Sequence, residues 1–210
     1  TRVVYGGSTS PGAFHISSLA TSAGFQITTS SQAVASTSVV GDVNGDGFDD
    51  VLFNLGGNAF LMYGGASNSN ITLPTVTTTN YTNGFFINRA VNTIGGGLST
   101  ASGDFNGDGY SDFVVNDYQL SSNGYVVFGG SVLSNVELSG LAAASRGFAI
   151  SNLSSGNSYN ANNMGDVNGD GMDDMIINNG TSGVNNTAYV LFGKTDFGTV
   201  NLSALGSTGF

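Results

Sequence analysis

Three stretches of the chain concentrate carboxylates at a fixed spacing. Residues 41–50 read GDVNGDGFDD, residues 103–112 read GDFNGDGYSD, and residues 165–174 read GDVNGDGMDD. Counted from its first Asp, each carries an oxygen-bearing side chain at positions 1, 3, 5 and 9. These are Asp42, Asn44, Asp46 and Asp50; Asp104, Asn106, Asp108 and Asp112; Asp166, Asn168, Asp170 and Asp174. Hard oxygen donors at alternate positions of a tight loop converge on one point, and Ca²⁺ takes about 6–8 oxygens at roughly 2.3–2.6 Å. The main-chain carbonyl at position 7 (Phe48, Tyr110 or Met172) adds a donor, and Gly at position 6 permits the sharp bend. The sequence thus predicts three Ca²⁺ sites, which would change the formal net charge from −10 to −4.

Competing readings are weaker. An EF-hand shares the first six positions but needs a bidentate Glu at position 12. Position 12 here is Phe53, Val115 or Ile177, inside an apolar run. Mg²⁺ keeps its water and rarely takes a full protein cage. A plain polar turn explains Asp and Gly in one loop, but not three copies in one register. Asp49-Asp50 suggests a paired-carboxylate catalyst. Against that, position 9 reads as a ligand, and position 8 (Asp49, Ser111, Asp173) as an outward loop residue.

The acids are local: 11 of the 14 fall in these stretches, the others being Asp117, Glu137 and Asp196. Only Arg2, Arg89, Arg146 and Lys194 are basic. No cluster exists to neutralise phosphates or an anionic membrane, so neither nucleic acid nor direct membrane insertion is expected. No Cys is present, which excludes disulfides and thiolate metal sites. No apolar run approaches the roughly 18 residues of a membrane span. No signal peptide is visible at TRVVYGGSTS, which suits either its removal or excision from a longer chain. The lone His15, in AFHISSL, reads as structural. With no G-x-S-x-G elbow and no His-rich zinc set, no enzyme is expected.

The acidic motif returns every 62 residues, the mark of a repeat protein. Each copy runs into a short apolar stretch (Val51-Leu52-Phe53, Phe113-Val114-Val115, Met175-Ile176-Ile177), read as a strand buried on both faces. FLMYGG (60–65), YVVFGG (125–130) and YVLFGK (189–194) read as a further strand ending in a turn. GFFI (84–87), GFAI (147–150) and the final GF (209–210) supply another. VASTSVV (34–40) and its counterparts supply the first. ELSGLAAASRG (137–147) is the best helix candidate. The expected fold is all-β, with about three and a half four-stranded blades of a β-propeller in one region, 1–210. A partial blade covers 1–33, and full blades cover about 34–88, 98–150 and 160–210. RVVYGG (2–7) and GFQI (24–27) align with a unit's third and fourth strands. Open sheet edges then imply either a piece of a longer chain or self-association.

D-x-N-x-D-G-x-x-D running into a strand, followed by YVVFGG or FLMYGG, resembles the FG-GAP repeat of the integrin α-subunit propeller. GDVNGDGFDDVLF is still closer to bacterial extracellular FG-GAP proteins. The resemblance implies a seven-bladed propeller, calcium in the loops and an extracellular, bacterial setting. Family members include adhesins, lectin-like modules, receptors and some polysaccharide-acting enzymes. The leading expectation is a calcium-stabilised extracellular adhesion or structural module whose partner is a protein or glycan on a cell surface or matrix. The alternative is a carbohydrate-binding propeller using Arg89, Asn92, Asp117-Tyr118-Gln119, and Asn157 to Asn160 with Tyr159. A polysaccharide-acting enzyme ranks below both.

Overall fold

The computed structural model describes residues 1–5, 23–29, 33–66, 69–75, 81–88, 101–117, 123–153, 160–181 and 184–210, and every structural statement concerns these. In chain order the strands are β1 (Arg2–Val4), β2 (Gly24–Thr29), β3 (Ser36–Gly41), β4 (Asp50–Asn54), β5 (Ala59–Met62), β6 (Ile71–Leu73), β7 (Gly84–Asn88) and β8 (Ser102–Gly103). They continue as β9 (Asp112–Asp117), β10 (Asn123–Val127), β11 (Val136–Glu137), β12 (Gly147–Ser151), β13 (Asn160–Gly165), β14 (Asp174–Thr181), β15 (Val184–Leu191) and β16 (Val200–Asn201). The described helical structure is limited to 3₁₀ turns at Leu138–Gly140 and Gly206–Thr208. The helix candidate at 137–147 therefore shortens to one 3₁₀ turn followed by turn residues. Gly140 disfavours helix continuation, and Ser145 takes φ 54°.

Four sheets follow one another along the chain, in the orders β1-β2-β6, β3-β4-β5-β7-β11, β8-β9-β10-β12-β16 and β13-β14-β15. The second and third contain the four antiparallel strands that the sequence predicts, with registers such as Val51↔Met62 and Leu61↔Phe85. In the fourth sheet the final GF takes the fourth-strand place. Val190 and Phe210 exchange main-chain hydrogen bonds of 2.7 and 2.9 Å.

The fifth strand is not anticipated from the sequence. β6, β11 and β16 run parallel to β2, β7 and β12, the fourth strands of the preceding repeat units. Each comes from the stretch between the third and fourth strands of the next unit, so it ties one unit to its predecessor. Asn side chains position two of these latches: Asn70 Oδ1 accepts the Gln26 N–H at 2.8 Å, and Asn135 Oδ1 accepts the Phe86 N–H at 2.9 Å. Leu73, Leu138 and Leu202 anchor the latches and are buried.

The apolar strands are buried on both faces, as their unbroken hydrophobicity requires. Along β9 the period of two divides the side chains between neighbours. Phe113 and Val115 pack with Val40 and Leu52 of the second sheet and Val43 of its acidic loop. Val114 packs with Met175, Ile177 and Leu191 of the fourth. Each such side chain contributes about 1.5–3 kcal/mol on full burial, so the joints between sheets are the core of the molecule.

Candidate metal centre

The acidic loop turns in the same way three times. Gly47, Gly109 and Gly171 at position 6 have φ of 88°, 87° and 90°, a region where an L side chain is strained. In the first loop Asp42 Oδ1 accepts the N–H groups of Gly45 and Asp46 at 2.7 and 3.0 Å, and Oδ2 accepts that of Gly47 at 2.8 Å. Asn44 Oδ1 accepts the Asp46 N–H at 3.0 Å, while its Nδ2 donates to Asp46 Oδ2 at 2.9 Å. Asp46 Oδ1 accepts the Phe48 N–H at 2.9 Å. Asp166, Asn168 and Asp170 repeat this set. In the second loop Asp104 accepts the Asp108 and Gly109 N–H groups, and Asn106 pairs with Asp108. The Gly171 N–H leads the bonds that hold the Asp166 carboxyl below the usual carboxylate range.

Position 9 behaves differently. Asp50, Asp112 and Asp174 are each 0 % exposed. Their Oδ2 atoms accept the position-2 N–H of Val43, Phe105 and Val167 at 2.9, 2.8 and 2.8 Å. Their Oδ1 atoms accept the N–H of Gly64, Gly129 and Gly193, in the turn after the third strand, at 2.8, 2.9 and 2.9 Å. One buried carboxylate thus joins the loop, the second strand and the third-strand turn. Burial pushes Asp50 up to about 6 and Asp112 up to about 8, against the pull of their N–H partners. The charges of Asp46 and Asp42 add to the rise at Asp50, as those of Asp108 and Asp104 do at Asp112. Positions 1, 5 and 9 of these two loops therefore share one electrostatic environment.

All fifteen sequence-predicted positions lie in these loops, with positions 1, 3 and 5 bonded within one turn and position 9 buried behind it. Among the described residues no three Asp, Glu or His side chains stand close enough together to hold a metal. The carboxylates are drawn onto N–H groups instead. The donor chemistry nonetheless fits a hard cation. It is all oxygen, and a carboxylate has about four acceptor sites, so N–H bonds do not exhaust it. The described ion pair, Lys194–Asp196 at 2.8 Å, lies outside the loops.

Position 8 is exposed at Asp49 but requires a correction in the second and third loops. It was expected to face outward, yet Ser111 and Asp173 sit in the joint with the preceding loop. The Ser111 N–H donates to the Asp42 carbonyl at 3.0 Å and the Asp173 N–H to the Asp104 carbonyl at 2.8 Å. Beside them the Gly130 N–H donates to the Val43 carbonyl at 2.9 Å and the Lys194 N–H to the Phe105 carbonyl at 2.8 Å. Asp173 Oδ2 also accepts the Asp104 N–H at 3.1 Å and Asn163 Nδ2 at 2.9 Å. The first loop is thereby docked on the second, and the second on the third, through the carbonyls of loop positions 1 and 2. The aromatic–Gly pair that ends each third strand, Tyr63-Gly64, Phe128-Gly129 and Phe192-Gly193, was the available sequence signal.

His15, Arg89, Asn92, Tyr118, Gln119, Asn157 and Tyr159 lie outside the described residues, as does the Asp117 side chain, while Asn160 opens β13. No helix of the described residues is long and apolar enough to cross a membrane.

No curated protein matches the chain. The family model described as FG-GAP repeat matches residues 96–128, which hold the second loop, β8, β9 and β10. That stretch is therefore an FG-GAP repeat, and it shares its loop geometry with the loops on either side of it.

Proposed function

We propose that the chain is a calcium-stabilised extracellular module of β-propeller type that serves adhesion or structure. The observation that carries this reading is the threefold recurrence of one loop with oxygen-only donors and, among the described residues, no basic partner. Asp42, Asn44, Asp46, the Phe48 carbonyl and Asp50 would hold the ion in the first loop. Asp104, Asn106, Asp108, the Tyr110 carbonyl and Asp112 would hold it in the second; Asp166, Asn168, Asp170, the Met172 carbonyl and Asp174 in the third. Bound Ca²⁺ supplies positive charge that cancels the mutual repulsion of three carboxylates. The FG-GAP repeat at residues 96–128 supports an extracellular setting, since such repeats are typical of extracellular proteins. The partner is a protein or glycan of a cell surface or matrix. Calorimetric titration with Ca²⁺, with melting followed in calcium and in chelator, tests the metal reading. Three bound ions and a higher melting temperature are expected. No heat and no change in melting would reject it.

A further inference from the structure

The contacts between successive acidic loops differ at the two joints. At both, position 8 of one loop gives its N–H to the carbonyl at position 1 of the loop before: Ser111 to Asp42 at 3.0 Å, and Asp173 to Asp104 at 2.8 Å. At both, the side chain at position 7 rests on the Gly at position 4 of the loop before, Tyr110 on Gly45 and Met172 on Gly107. The joint between the second and third loops carries a further arm. Asp173 Oδ2 accepts the Asp104 N–H at 3.1 Å, so Asp173 holds both main-chain polar groups of Asp104. Asn163 Nδ2 donates to Asp173 Oδ2 and to the Ser102 carbonyl, both at 2.9 Å. Asn163 Oδ1 accepts the N–H of Gly165, the residue before Asp166, at 2.6 Å. In the preceding unit the places of Asp173 and Asn163 are taken by Ser111 and Ala101, which offer neither carboxylate nor amide side chain.

Asp173 stands between Met172 and Asp174, positions 7 and 9 of the third loop, and its partner Asp104 is position 1 of the second. Fixing positions 7 and 9 around an ion therefore fixes Asp173, and with it the peptide groups on both sides of the Asp104 side chain. Asn163 extends the same hold to Gly165, where the third loop begins. A segment already ordered by one ligand costs less to order for a second, and linkage makes the benefit mutual.

Resting on the calcium reading, we infer that the second and third loops fill with Ca²⁺ cooperatively, through Asp173 and Asn163, and that the first loop fills more independently. Asp173 and Asn163 are positioning residues. Neither belongs to the proposed ligand set, and both act through Asp104 and the entry to the third loop. The first joint has the main-chain bond at position 8 and the position-7 contact but lacks this side-chain arm, so its coupling is weaker.

The test titrates the whole isotopically labelled chain with CaCl₂ and follows the amide signals of Gly47, Gly109 and Gly171, one in each loop, by NMR. An ionic strength of about 0.15 M, where the Debye length is about 8 Å, limits repulsion between ions in neighbouring loops. Gly109 and Gly171 should respond together with a Hill coefficient of about 1.5, as a roughly tenfold coupling between two equal sites gives. Emptying the second loop by Asp104→Ala, which keeps its main-chain groups, should weaken the third roughly tenfold and the first by less. Asp173→Ala should leave three ions bound and bring the Hill coefficient to about 1. Asn163→Ala, at an exposed side chain, should do the same if Asp173→Ala disturbs folding. Three ions that bind independently in the parent chain overturn the coupling and leave the calcium reading intact. Cooperativity that survives both Asp173→Ala and Asn163→Ala overturns the assignment to these residues. No response of any loop to calcium rejects the calcium reading itself, and the coupling with it.

Discussion

Asp112 Oδ1 accepts the main-chain N–H of Gly129 at 2.9 Å, from a side chain with no exposed surface. Its Oδ2 takes the Phe105 N–H at 2.8 Å. The buried Phe105 donor, which also reaches the Gly103 carbonyl at 3.1 Å, and the half-buried Gly129 donor therefore share one carboxyl group, and an unsatisfied buried donor costs roughly 1–3 kcal/mol. Asp112→Ala should lower stability by about 3 kcal/mol in urea denaturation with chelator present. A loss below about 1 kcal/mol would show that water replaces the carboxylate.

The same buried acids set a pH dependence in chelator. Burial favours the protonated form, raising Asp50 to about 6 and Asp112 to about 8 from 3.8. Their contribution is fully present below the unfolded value and is lost as pH rises through the folded values. Melting temperature in chelator should therefore fall between about pH 4 and pH 8. Asp112→Asn, which cannot ionise, should remove much of the fall at the upper end of that window. A melting temperature that rises across the range contradicts the assignment.

Asp50 shows how far the sequence could be read. Its type and spacing identify an oxygen donor next to a buried strand, and the structure places it there. Its N–H partner Gly64 was not foreseeable, because the bond depends on how the third-strand turn folds back. Asn135 was missed for a related reason. N-I-T-L, N-V-E-L and T-V-N-L at 70–73, 135–138 and 199–202 recur, but each strand is too short to show a period, and its partner lies in the preceding unit. Ser111 was misread because a main-chain donor leaves no trace in side-chain type.

The latch strands make a separate prediction. Leu138 is 3 % exposed, packs in the cluster shared by the second and third sheets, and follows the two residues of β11. Leu138→Ala should cost about 2–5 kcal/mol. Because β11 covers the outer edge of β7, the Phe86 amide, held by Asn135, should exchange faster with solvent. Faster exchange confined to residues near 138, with Phe86 unaffected, would separate the latch from the stability of the preceding sheet.

The joint offers a sharper steric test. A Cβ at Gly129 would stand 2.6 Å from the Ser111 carbonyl oxygen and 2.7 Å from that of Val43. Both are main-chain atoms, so neither can swing aside as a long side chain would. Overpacking of this kind typically costs about 1–3 kcal/mol. Gly129→Ala should fall in that range and speed exchange of the Ser111 and Gly130 amides, which bridge the two loops. Gly140→Ala, where a Cβ meets nothing within 4 Å, controls for the general effect of adding a methyl group.

Asp104→Ala separates the metal's role from that of the fold. Asp104 accepts the Asp108 and Gly109 N–H groups, and those donors lie on exposed residues where water can replace the carboxylate. Its loss in chelator should therefore be smaller than that of Asp112→Ala. In calcium the order should change. A site saturated at about one hundred times its dissociation constant contributes about 2.7 kcal/mol, and Asp104→Ala should forfeit it while calorimetry counts two ions in place of three. If Asp104→Ala still binds three ions, position 1 is not a ligand, and the loop's carboxylates serve its N–H groups alone.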